Sequence, residues 1–348
     1  YQAQWIDWIL AGMPSPISFG IDADMKNATV YALFASSPSL ILPDKSYYEA
    51  EKKAQHDQLL QLWSSMVEAL MDKLGYSKEE AKKIIDDAIK FDALLAPNVK
   101  SAEEAADYSK MYNPQTVAEL ASATDQLDIA AIIKQLVGEE PEKVIVTEPE
   151  YFKALNKILQ DNFELFKNWA LIRVIRENAS YLDDEMREIN GRYGRALSGS
   201  KKPVSQRKFA FYLARDMFSQ VAGDYYGKKY FGPQAKADVH HMVEKMIKVY
   251  TGRLTNNQWL SKDTRDKAIL KLDKLGIQVG YPDKIPALYD QFKVDEEESL
   301  IANLNQLTVT ANKELFSRWN KPVDRMRWEM SAATVNAYYH PFKNIIVF

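Results

Sequence analysis

Between Leu59 and Leu74 the apolar residues Leu59, Leu60, Leu62, Trp63, Met66, Leu70 and Leu74 recur every three or four positions. That spacing lines one face of a 3.6-residue helix and predicts an amphipathic α-helix. Gly75 ends it. Ser77-Lys78-Glu79-Glu80 and Ser101-Ala102-Glu103-Glu104 each set a serine three residues ahead of a glutamate, the reciprocal cap that opens a helix. Helical signals dominate residues 47–137 and return over 151–181, 205–226 and 234–254. Asp263 and Thr264 sit where a first helical turn places them, ahead of Ala268, Ile269 and Leu272, and Gly276 closes that helix. Glu296, Glu297 and Glu298 are expected to open a last helix reaching about residue 319, their charges meeting the positive end of its dipole.

Extended segments are fewer. Residues 17–24 and 28–35 are two β-prone runs separated by Met25-Lys26-Asn27, which predicts a hairpin. Val144-Ile145-Val146-Thr147 reads as a short extended link. Residues 334–339 and 344–348 read as two short strands joined by a turn at His340-Pro341-Phe342-Lys343. Trp5, Ile6, Ile9 and Leu10 read as a helix already under way without a cap, and the apolar strand at Ile345-Ile346-Val347-Phe348 stops abruptly, so both ends are expected to be cuts in a longer sequence. The pattern is that of a large helical body followed by the start of an α+β domain.

Composition narrows the chemistry. The 348 residues are 46% hydrophobic and 27% charged with a net charge of −3, enough for one large domain or two, without a basic patch for nucleic acid. No apolar run nears the roughly 20 residues that span a bilayer, and the first residues do not form a secretory signal. There is no cysteine, which excludes disulfides, thiolate zinc sites and cysteine nucleophiles within the chain and fits a reducing compartment. A bacterial cytoplasmic protein is expected, with the cell surface or secretion as the alternative.

The four histidines give no metal motif. His240 and Glu244 are i,i+4 and share a helix face, but neither HExxH nor His-x-x-x-His occurs, so a solvated face is the expected reading. His56 sits among Lys53, Gln55 and Asp57 on another such face, and His340 in a turn. Gly194 to Gly199 lacks the Gly-Lys-Ser/Thr ending of a phosphate loop.

Three stretches together are specific. Trp328-Glu329-Met330-Ser331-Ala332-Ala333-Thr334-Val335-Asn336-Ala337-Tyr338-Tyr339, continued by Asn344 and Ile346-Val347-Phe348, resembles a signature of the neprilysin family of zinc metallopeptidases. Trp259-Leu260-Ser261, Thr264, Ala268, Lys271-Leu272 and Gly280-Tyr281-Pro282-Asp283 resemble a second block of that family, and Leu42-Pro43-Asp44 with Tyr47-Tyr48 a third. Order and spacing agree over nearly the whole chain, and the cysteine-free texture looks most like the bacterial oligopeptidase O branch. Ser331 departs from the family pattern, where proline is more usual, and is expected to loosen the approach to the following strand.

The resemblance implies a mainly α fold. Residues 1–285 would be a helical cap domain and 286–348 the incomplete beginning of a thermolysin-like catalytic domain, cut before the HExxH motif. It implies an endopeptidase that hydrolyses short peptides, excludes folded proteins by the size of its cavity and prefers bulky apolar residues after the scissile bond. Zinc would be the cofactor, its ligands and the catalytic residues lying outside this chain, so that no catalytic or metal residue falls within 1–348 and the fragment alone is inactive. The partners implied are peptide substrates and the missing C-terminal half.

By resemblance Asn336 and Ala337 bind the substrate backbone and Tyr338 lies beside the unprimed subsite. The residues make physical sense in that role. An extended peptide can add to a strand edge through main-chain hydrogen bonds. An asparagine amide offers both donor and acceptor to one peptide unit, and a small Ala337 lets the guest approach. The alternative is a non-catalytic helical module that binds peptides or proteins.

Overall fold

A computed structural model describes residues 4–348 of the chain. It is 59% helix and 8% strand, so the mainly α expectation holds. Two compact units divide it: one takes the segments up to Asp22, Ala32–Gln206 and Lys293–Asn320, the other Ala23–Tyr31, Arg207–Phe292 and Lys321–Phe348.

The first unit is built on the amphipathic helix read from the leucine spacing, now bounded at Lys53–Lys73. Leu60, Trp63, Met66, Val67 and Leu70 are buried along its inner face. Gly75 follows at φ +86°, a left-handed turn that a residue with a Cβ adopts only under strain. The helix Lys78–Leu95 then starts from a complete capping box between Ser77 and Glu80. The expected box at Ser101 and Glu104 is present, and Thr116 with Glu119 forms another that the sequence reading did not single out. Phe91, Phe166 and Trp169, the last two on the helix Phe163–Ala179, interlock with ring centroids 5.4–5.9 Å apart at the centre of the core. Burying each such side chain stabilises the fold by about 2–3 kcal/mol.

Against these helices lies a four-stranded sheet in the order β1-β2-β4-β3, with β1 Ser18–Ala23, β2 Tyr31–Ser36, β3 Asn113–Gln115 and β4 Val144–Val146. The hairpin expected over 17–35 forms. Its turn is closed by the Asp24 carboxylate, which accepts from the backbone N–H of Lys26 at 2.8 Å and of Asn27 at 3.3 Å. The segment 144–147 is more than a link. β4 runs parallel to β2, with Phe34 opposite Ile145, and antiparallel to β3, so its three fully buried residues need no period-two alternation.

Two further boundaries differ from the sequence reading. The helix expected from Glu296 begins at Leu300, because the Ser299 side chain accepts from Ala302 N–H and so becomes the N-cap, leaving the three glutamates in the preceding turn. Gly276 does not merely end a helix. It opens a strand, β5 Gly276–Gln278. The first helix is Trp5–Leu10 with no side-chain cap at Gln4, and the part of that expectation that falls on residues 1–3 lies outside the described residues.

Candidate functional site: a short sheet at the end of the second unit

The second unit ends in a three-stranded sheet of order β5-β7-β6, with β6 Tyr338–His340 and β7 Ile345–Val347. β5 pairs parallel to β7, Gly276 facing Ile345, and β6 pairs antiparallel, Tyr338 facing Val347. Gly276 is needed there: a Cβ would stand 2.7 Å from Ile345 Cγ2. β7 is therefore the central strand and β6 an edge, with one neighbour among the described residues.

The strand expected over 334–339 is shorter than the sequence pattern and shifted towards the C-terminus. Residues 334–337 are irregular and exposed, and ladder geometry begins only at Tyr338. The ladder with β7 pairs Tyr338 with Val347, Tyr339 with Ile346 and His340 with Ile345. Asn336 and Ala337 sit just ahead of these paired residues, both exposed. Asn336 turns its side-chain carbonyl back to accept from the Ala337 backbone N–H at 2.8 Å. Tyr338 is half-buried, and burial together with the nearby Glu329 raises its phenol above the ordinary value.

Several groups fix this segment. Arg325 donates from Nε to the Lys343 carbonyl at 2.8 Å and from Nη2 to the carbonyls of Lys274 and Asn344 at 2.8 and 3.1 Å. Asn344 adopts φ +47° and donates from its amide to the Lys271 carbonyl at 2.9 Å. Together they occupy carbonyls at the C-terminal end of the helix Lys262–Asp273, which have no partner within a helix. Asn344 also accepts from the Tyr339 hydroxyl at 3.1 Å, and Lys271 stands over the Tyr339 ring at 5.3 Å. Asparagine tolerates the left-handed conformation, which accounts for its place in the signature. Arg325 and Lys343 look in the sequence like ordinary surface cations, and no local pattern marks them.

The approach to the strand is not loosened at Ser331. Its hydroxyl donates to the Ser219 carbonyl at 2.8 Å and accepts from Ala333 N–H at 3.3 Å, tying residues 331–333 to the helix Ser219–Tyr226. Gly223 on that helix makes the contact possible, since a Cβ there would lie 2.6 Å from Ser331 Oγ and 2.8 Å from the Ala332 nitrogen. Gly223→Ala is therefore expected to destabilise the protein by about 1 kcal/mol, crowding outweighing the gain in helix propensity. Gly252→Ala, on an open helix face within Gly232–Thr255, should instead stabilise it by about 0.5–1 kcal/mol. Paired urea titrations check both signs.

Metal ligation is a different matter. Among the described residues no three His, Cys, Asp or Glu side chains group to hold an ion. His240 and His241 share Glu244 on an exposed helix face, at 3.6 and 3.4 Å. The described residues offer a zinc ion no set of ligands. The arrangement defines instead a helical lobe that ends in a sheet with an open edge, flanked by an exposed Asn-Ala pair.

Comparison with known proteins places that arrangement. The family model described as Peptidase family M13 matches residues 2–282, and the chain belongs to that family, which bears out the neprilysin-type resemblance. The neutral endopeptidase of Lactococcus lactis subsp. lactis is 40% identical over 336 residues, covering 96% of this chain and 53% of the relative. The crystal structure of PEPO from Lactobacillus rhamnosis HN001 superposes with a TM-score of 0.92 at 34% identity, over 100% of this chain and 55% of that one. The zinc metalloprotease ZMP1 of Mycobacterium tuberculosis, in complex with an inhibitor, gives 0.89 at 27% identity, over 100% and 52%. The chain thus spans about half the length of each of these proteins.

Proposed function

We propose that residues 1–348 are the N-terminal part of a zinc-dependent endopeptidase that hydrolyses short peptides. In this reading residues 1–285 form the helical cap domain, and 286–348 open the catalytic domain and bring the strand that holds the substrate backbone. Zinc and its ligands come from sequence outside this chain. Asn336 and Ala337 bind a peptide unit of the guest, and Tyr338 stands beside the subsite on the amino side of the scissile bond.

The observation that carries this is the open edge of β6 with exposed Asn336 and Ala337 immediately before it. A peptide laid along that edge gains main-chain hydrogen bonds that ignore its side chains, as an enzyme acting on varied peptides requires. Membership of a peptidase family and similarity to proteins named neutral endopeptidase support the reaction class.

The test is made on the whole protein. Cleavage of a reporter peptide should require about one zinc per molecule, vanish on chelation and return with added zinc, while residues 1–348 alone should show none. Cleavage at an undiminished rate by the metal-free whole protein overturns the proposal.

A further inference from the structure

We propose that Glu329 and Lys343 are positioning residues for the peptide-binding edge, a role that rests on the reading of Asn336 and Ala337 given above. The two residues bracket that segment, one before it and one in the turn after β6. The Lys343 side chain is only 2% exposed, and its ammonium pairs with one carboxylate oxygen of Glu329. The other oxygen of Glu329 lies 3.6 Å from His340 Nε2. His340 Nδ1 accepts from the Lys343 backbone N–H at 3.3 Å, so this nitrogen carries no proton and the ring presents Nε2 to Glu329.

Side chains alternate across a strand, so Tyr338 and His340 face the same side of β6 and Tyr339 the other. The first two thus close over Glu329 while the main chain at the edge stays open. A sealed ammonium tolerates no loss of its carboxylate, since an uncompensated buried charge costs more than the pair contributes. Glu329 is therefore drawn inward, and the loop from 329 to 337 is held with it. A guest strand must meet β6 at a spacing of about 4.8 Å. Misplacement by about 1 Å is enough to impair binding and turnover. Glu329 and Lys343 touch no substrate in this scheme. They act through the backbone they hold.

The burial asymmetry gives a specific test in the whole peptidase. Lys343→Met should raise KM for a reporter peptide about 10-fold, with kcat within about 2-fold and zinc content unchanged. Lys343→Arg should restore KM. Glu329→Gln should do more damage than Lys343→Met, because it strands the buried ammonium, whereas Glu329 is 41% exposed and can turn to water. The double variant should return to the level of Lys343→Met. In the 348-residue chain, amide exchange at Tyr338–His340 should quicken at least about 10-fold in Lys343→Met.

An unchanged KM in Lys343→Met alongside a raised KM in Asn336→Ala overturns the positioning role and leaves the peptide-binding reading in place. An unchanged KM in both overturns the reading beneath it. Loss of kcat and zinc at constant KM marks a pair that only holds the fold, and also overturns the proposal. Should Lys343→Met fail to fold, Glu329→Asp, which keeps the charge but draws it back, is expected to raise KM about 3-fold, and no change there counts against it.

Discussion

Asn336→Ala in the whole peptidase is expected to lower kcat/KM for a reporter peptide by about 10- to 100-fold, with zinc content and melting temperature unchanged. One asparagine side chain would offer a carbonyl to a substrate N–H and an amide to a substrate C=O. Each such bond contributes about 1 kcal/mol net, and every 1.4 kcal/mol is a factor of ten. The carbonyl is not idle beforehand: it holds the Ala337 N–H at 2.8 Å, a bond that must be exchanged for the substrate's. That exchange keeps the effect nearer two bonds than the large losses seen when a buried group is stranded. Asn336→Asp separates the two halves of the clamp. It keeps an acceptor and loses the donor, so it should fall between the parent and the alanine variant with a neutral substrate. Equal kcat/KM in the parent and Asn336→Ala removes Asn336 from the site.

How far the sequence foretold the molecule depends on the range of the interactions involved. The leucine ladder ahead of Gly75 and the serine-glutamate boxes at 77 and 101 encode their structures within a few residues, and they form as read. Strands β3 and β5 were not legible, because three-residue segments carry no periodicity and become strands only when a distant partner, Val144–Val146 or Ile345–Val347, lies beside them. Trp5, Trp63, Trp169 and Tyr151 are fully buried, but Trp259 is 81% exposed, which composition cannot distinguish. At the candidate site the signature residues Asn336, Ala337, Tyr338 and Asn344 were visible, whereas Arg325, Glu329 and Lys343 act through contacts that the fold alone creates.

The signature block at Leu42-Pro43-Asp44 and Tyr47-Tyr48 turns out to anchor a loop, and its centre yields a second large effect. Asp44 caps the turn after it, accepting from Ser46 N–H at 2.8 Å, and reaches Ala102 N–H at 2.8 Å. The Tyr48 hydroxyl donates to Asp92, which also accepts from Ile41 N–H at 2.9 Å and is 1% exposed. Burial pushes the Asp92 carboxyl up to about 6, against the pull of Tyr48, Ile41 and the nearby Arg173. The folded protein thus binds a proton there that the unfolded chain, with its carboxyl near the ordinary value of 3.8, has already released. Stability from this group is fully present below about pH 4 and falls as pH rises towards 6, by on the order of 3 kcal/mol. Exposed capping carboxylates such as Glu80 and Glu119, whose pKa values are lowered, slope the other way at more acidic pH, so the measurement must be a difference. Asp92→Asn keeps the shape and cannot ionise. Its unfolding free energy relative to the parent should therefore climb between pH 4 and 7, while Asp92→Ala, which leaves Tyr48 and the Ile41 N–H without an acceptor, should lie about 2–4 kcal/mol below Asp92→Asn at every pH. Parallel curves for parent and Asp92→Asn across that range would show that Asp92 stays ionised, and that its three neighbours compensate the charge despite burial.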